Sequence, residues 1–121
     1  MMENTQTKNV RRTIFAFFEE TVPEIFAVNP ELREELKDIV QFRVEGENGG
    51  EWFIDTEHGQ AVPGTNPQAI CTIVAKADKF ATLLEGPLRE WIAAYLTGEL
   101  QLKGNLVRAL RIRRLFERYS A

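Results

Sequence analysis

Apolar positions recur at helical spacing from about Lys8 to Glu20: Val10, Ile14, Phe17 and Phe18 share one side and Phe15 widens the stripe. A helix is predicted there, after a frayed polar start over residues 1–8. Pro23 and Asn29-Pro30 punctuate the next stretch. Asn29 is placed to cap, and Pro30 to open, a short helix to about Asp38. The period then falls to two. Val40, Phe42 and Val44 alternate with Gln41, Arg43 and Glu45, which predicts a strand with its second set facing solvent. A turn at Asn48-Gly49-Gly50 leads into a return strand with Trp52, Ile54 and Thr56 inward. His58-Gly59 turns that strand into a third, at about Gln60–Val62, so the first three strands form an antiparallel meander.

A fourth strand, Ala69 to Lys76, sets Cys71, Ile73 and Ala75 on one face. Asp78 is placed to cap a helix with Phe80, Leu83 and Leu84 on its apolar side. Pro87 opens another, with Leu88, Trp91, Ile92, Tyr95 and Leu96 together, and Gly98 stops it. Leu100 and Leu102 mark a fifth strand. Two helices lie between the fourth and fifth strands, which allows a crossover to a parallel neighbour. Gly104-Asn105 turns into a last helix to about Tyr119. On a helical wheel, Leu106, Val107 and Leu110 occupy one arc, and Ile112, Leu115, Phe116 and Tyr119 another. That helix therefore either wraps between two surfaces or breaks near Arg111.

A length of 121 residues fits one compact domain, and no linker or repeat divides it. The longest apolar run, Trp91 to Leu96, is too short to span a bilayer. The first thirteen residues hold no apolar h-region, so no secretory signal is expected. Cys71 stands alone, which fits a reducing cytosol and a cytoplasmic location. Charge is unevenly spread. Residues 1–107 carry ten Lys/Arg against seventeen Asp/Glu, and residues 108–121 carry five Arg against Glu117. The acidic body argues against nucleic acid as a partner. The arginine-rich end could meet an anionic membrane or an acidic partner, or pair with the acidic body itself.

No catalytic constellation is visible. The one histidine, His58, sits in a turn beside Glu57, and the one serine, Ser120, is far from it. Cys71 lies mid-strand, where it reads as a small buried hydrophobe. Asp55 and Glu57 put two carboxylates on the solvent side of a strand. Gly46, Gly49 and Gly50 lack the Gly-Lys-Ser/Thr ending of a phosphate loop. Neither a cofactor nor a metal is expected.

Three stretches resemble the sterol carrier protein-2 family: FRVEGENGGEWFIDTEHG (Phe42 to Gly59), ICTIVAKADKFATLLEG (Ile70 to Gly86) and WIAAYLTGELQLKGNLVRALRI (Trp91 to Ile112). The resemblance covers roughly residues 40–116, behind a helical segment over residues 1–39. It implies an α+β fold: a five-stranded mixed sheet, part antiparallel meander and part crossover strands, with helices on one face around an apolar tunnel. It also implies non-catalytic binding or transfer of a sterol, fatty acid, fatty acyl-CoA or isoprenoid. The end Arg118-Tyr119-Ser120-Ala121 departs from the serine-lysine-leucine address of peroxisomal members. The Phe-rich segment before residue 40 matches poorly, and would cover the tunnel differently or form a homodimer surface.

The expected ligand-binding residues are Phe42, Trp52, Ile54 and Ile73 from the strands, Phe80, Leu83, Leu84, Trp91, Ile92 and Tyr95 from the helices, and Leu102, Leu106 and Leu110 near the end. Trp91 and Tyr95 each offer one polar atom to a head group, and Arg108 or Arg111 could hold a carboxylate or phosphate at the mouth. Two alternatives remain: an accessory factor holding quinone-biosynthesis intermediates, and a scaffold or dimerisation module whose core is solid.

Overall fold

The structure, a computed structural model, describes residues 2–115. Helix α1 (Met2–Ala16) starts earlier than its stripe predicts and widens into a π-turn at Phe17–Thr21. The extra residue in that turn lets adjacent Phe17 and Phe18 both enter the core, where each is at most 1 % exposed. Helix α2 (Val22–Val28) follows without a break, with Pro23 in its first turn, directly after the π-turn. Asn29 does not cap the next helix with its side chain. Its amide donates to the Ile25 carbonyl at 3.0 Å and closes α2 instead. Helix α3 (Leu32–Leu36) is accordingly shorter than expected.

Strands β1 (Val40–Glu45), β2 (Gly50–Asp55), β3 (Gln60–Pro63), β4 (Cys71–Lys76) and β5 (Leu100–Gly104) form one mixed sheet in the order β3-β2-β1-β4-β5. The meander is as predicted. The parallel pair is β1 with β4, while β5 runs antiparallel to β4, so the parallel crossover that two intervening helices allow is not made there. Helices α4 (Ala77–Leu84) and α5 (Leu88–Thr97) return the chain to the end of the sheet where it left, which forces that direction. Asp78 lies inside the first turn of α4 and makes no side-chain cap there. Gly104 is required at the end of β5: its φ is +108°, and a Cβ would sit 2.5 Å from the Ile70 carbonyl oxygen.

The inner face of the sheet (Val40, Phe42, Val44, Trp52, Ile54, Cys71, Ile73, Ala75 and Leu100) is buried against the helices. Gln41 points to the other face, yet it too is buried, contrary to the alternation. The segment 64–70 crosses that outer face to carry the chain from β3 to β4, and Gln41 is its fastening. Its amide nitrogen donates to the carbonyls of Gly64 at 2.9 Å and Trp52 at 3.1 Å, and its oxygen accepts from the Asn66 N–H at 2.9 Å. Gln41→Leu strands these groups and should cost about 2 kcal/mol, read as a lower midpoint in urea unfolding. An unchanged midpoint would show that the crossing does not depend on this amide.

Cys71 is buried in the same sheet. Burial, with the Asp38 carboxylate adding to it, pushes its thiol from 9.0 to about 11. The folded state thus keeps its proton where the unfolded chain has lost it. Stability should be insensitive to this group below pH 9, fall by up to about 1.4 kcal/mol per pH unit between 9 and 11, and level off above. Alkylation by iodoacetamide at pH 8 should accordingly be slow until urea unfolds the chain; fast labelling of native protein would contradict this environment.

Candidate functional site

Two halves of the space between sheet and helices differ. Under the meander it is filled by rings. Phe18 stacks on Trp52 (centroids 4.4 Å apart, planes 11°) and on Phe80 (5.7 Å, 2°), while Phe17 and Phe42 meet it edge-on. Phe15 closes the far side of Trp52 at 5.0 Å. The indole nitrogen of Trp52 is enclosed there without a hydrogen-bond partner.

Trp91 divides the halves: it packs edge-on against Phe80 at 5.8 Å and borders open space on its other side. That space is an apolar cleft of about 490 Å³, within the range of small-molecule sites. Its floor is Ile73 of β4 with Leu100 and Leu102 of β5. One wall is Leu88, Trp91, Ile92, Tyr95 and Leu96 of α5. The other is Leu106 and Val107 of α6 (Leu106–Ala109) with Leu110, Ile112 and Arg113 just beyond it. Eight large apolar side chains are exposed among the described residues, and seven of them line this one cleft; only Val28 lies elsewhere. Leu96 and Val107 are 76 % and 78 % exposed, so the cleft is open along its rim.

Local sequence explains the walls. Gly98, at φ +86°, ends α5 and turns the chain at once into β5 beside it. The Asn105 side chain accepts from the Arg108 N–H at 3.0 Å and starts α6. That helix tightens into a 3₁₀ turn at Leu110–Ile112, so the two apolar arcs are served by a break near Arg111. Leu106, Val107 and Leu110 face the cleft, while Ile112 and Leu115 are buried. Phe116 and Tyr119 lie outside the described residues.

The structure brings seven of the thirteen expected residues together around the cleft: Ile73, Trp91, Ile92, Tyr95, Leu102, Leu106 and Leu110. The other six (Phe42, Trp52, Ile54, Phe80, Leu83 and Leu84) are in the packed half, none more than 2 % exposed. Leu88, Leu96, Leu100, Val107, Ile112 and Arg113 join the lining without having been singled out. All but Arg113 extend apolar stripes visible in the sequence. Arg108 and Arg111 do not wait at the mouth. Arg108 makes a two-pronged ion pair with buried Asp38, Nε to Oδ2 at 3.1 Å, and Arg111 stands 3.8 Å from the same carboxylate. Arg114 pairs with Glu35 at 3.1 Å. Arg108, Arg111 and Arg114 therefore clip the start of the basic end to the acidic body, fixing the outer wall of the cleft.

Away from the cleft, His58 Nδ1 lies 2.8 Å from Asp55 in an exposed turn with Glu57 nearby. This side-chain contact closes the β2–β3 turn, and no nucleophile stands beside it among the described residues. No helix among those residues is long and apolar enough to cross a membrane.

Hydroxysteroid dehydrogenase-like protein 2 of Bos taurus is 28 % identical over 88 residues, covering 69 % of this chain and 20 % of that protein. The chain thus spans about a fifth of the length of this curated relative. The solved sterol carrier protein domain 2 of Helicoverpa armigera superposes with a TM-score of 0.70 at 21 % identity, over 90 % of this chain and 91 % of that one. A UbiJ-SCP2 ubiquinone synthesis protein superposes at 0.59 and 16 % identity, over 98 % and 99 %. These superpositions share the α+β architecture. A sequence profile matches residues 22–117, starting well before the motifs that carry the resemblance, and by that match the chain belongs to the SCP-2 sterol transfer family.

Proposed function

We propose that this chain is a non-catalytic lipid carrier whose site is the cleft between α5, β5 and the turn after α6. The supporting observation is the gathering of seven exposed large apolar side chains on one concavity, where monomeric proteins rarely keep so much apolar surface without a use for it. Membership of a sterol-transfer family points the same way. The fitting occupant is one apolar body, whether an acyl chain, a sterol or an isoprenoid. A chain of about 14 methylenes gains roughly 11 kcal/mol gross on burial. Association offsets about 4–15 kcal/mol of that, so micromolar rather than picomolar affinity is expected. Neighbouring chain lengths should bind alike, because one methylene discriminates weakly. The single reduced cysteine fits the cytoplasm as the working compartment.

Native mass spectrometry of protein purified from cells tests this. A co-purifying lipid, or saturable one-to-one binding of a fluorescent fatty acid, is expected. Bare protein together with no uptake of fatty acid, sterol or isoprenoid would refute it. A second reading, a holder for quinone-biosynthesis intermediates, draws support from the near end-to-end superposition on the ubiquinone synthesis protein, N-terminal segment included. Solvent extraction separates the two by whether a prenylated aromatic ring or an acyl chain is recovered.

A further inference from the structure

Among the described residues, a single charged side chain, Arg113, lines the apolar cleft. The same residue also lines a neighbouring depression of about 550 Å³, shared with Glu35, Val107, Leu110, Arg111 and Arg114. Val107 and Leu110, like Arg113, line both spaces, so the cleft adjoins an arginine-walled hollow. Its other cations are already engaged: Arg111 faces Asp38 and Arg114 pairs with Glu35. Arg113 forms no ion pair among the described residues.

We infer, building on the lipid-carrier reading, that Arg113 sets the orientation and head-group preference of the ligand. The apolar tail lies on Leu102 and Ile92, and an anionic head, carboxylate or phosphate, emerges at Arg113. A guanidinium never loses its charge in the working pH range and offers a planar fork that suits both oxyanions. The apolar walls beside it exclude water from one side, so its field is screened less than on an open surface. Among the described residues no carboxylate lines the cleft, and Glu35 of the adjoining hollow is paired with Arg114. A neutral alcohol of the same length gains the same tail contacts and nothing from Arg113.

The test is a binding comparison of hexadecanoate, hexadecyl phosphate and hexadecanol, on the unmodified chain, Arg113→Gln and Arg113→Lys. The unmodified chain should prefer at least one anionic amphiphile over the alcohol by about fivefold to tenfold, as fits one partly exposed charge-assisted contact. Which anion leads separates a carboxylate site from a phosphate site. Arg113→Gln should erase the preference by weakening anion binding far more than hexadecanol binding, and Arg113→Lys should restore part of it. The preference should also shrink in 0.5 M NaCl. Equal affinity for all three ligands, or a preference that survives Arg113→Gln, would overturn the head-group role and leave the carrier reading standing. Failure of every ligand to bind would overturn both.

Discussion

Phe18→Ala should cost the fold about 3–5 kcal/mol, the range for deleting a fully enclosed ring that its neighbours cannot collapse to replace. Phe18 is 0 % exposed and lies between two rings stacked on it, Trp52 and Phe80, with Phe17 and Phe42 against its edge. Those contacts add to the loss, since aligned aromatic pairs contribute beyond their buried area. Urea unfolding followed by tryptophan fluorescence measures the change. Its size also bears on where the molecule is solid. A cost below about 1 kcal/mol would mean that the helices close over an empty interior beneath the meander.

A glutamate in the cleft should have the opposite profile, sparing stability and removing binding. Ile92 and Leu110 are 54 % and 58 % exposed, so a carboxylate at either position remains hydrated in the free protein. A bound chain would have to desolvate it. A penalty of about 2–3 kcal/mol corresponds to a loss of roughly 30- to 150-fold in affinity for hexadecanoate. Val28→Glu is the control: that side chain is 72 % exposed and remote from the cleft, so binding should be unchanged. Titration of a fluorescent fatty acid into each variant reads the difference. Equal affinities across Ile92→Glu, Leu110→Glu and Val28→Glu would remove the cleft from consideration.

Alternation and turn residues made the strands legible, because burial of one face leaves a period of two that Val40–Val44 and Trp52–Ile54 carry plainly. Alternation places Gln41 in solvent, but its burial comes from the crossing segment, which alternation cannot register. The direction of β5 also lay beyond local pattern, since two helices can return a chain to either end of a sheet. The site was half legible for a related reason. Phe80 and Ile92 look alike as apolar positions on helical stripes, yet one is enclosed and the other exposed, according to what stands opposite. What stands opposite Phe80 is Phe18, supplied by an N-terminal helix whose stripe announces burial but not its target. The arginines show the same dependence: Arg108 is taken up by Asp38, seventy positions earlier, and only that pairing leaves Arg113 as the cation at the cleft.

The most direct measurement is a heteronuclear NMR titration of the chain with hexadecanoate. Saturable shifts are expected at Trp91, Ile92, Leu96, Leu102 and Val107, with Phe18, Phe42 and Ile54 little changed. Shifts centred on Phe18 and Trp52, or no saturable shift at any concentration below ligand self-association, would contradict a site in the cleft.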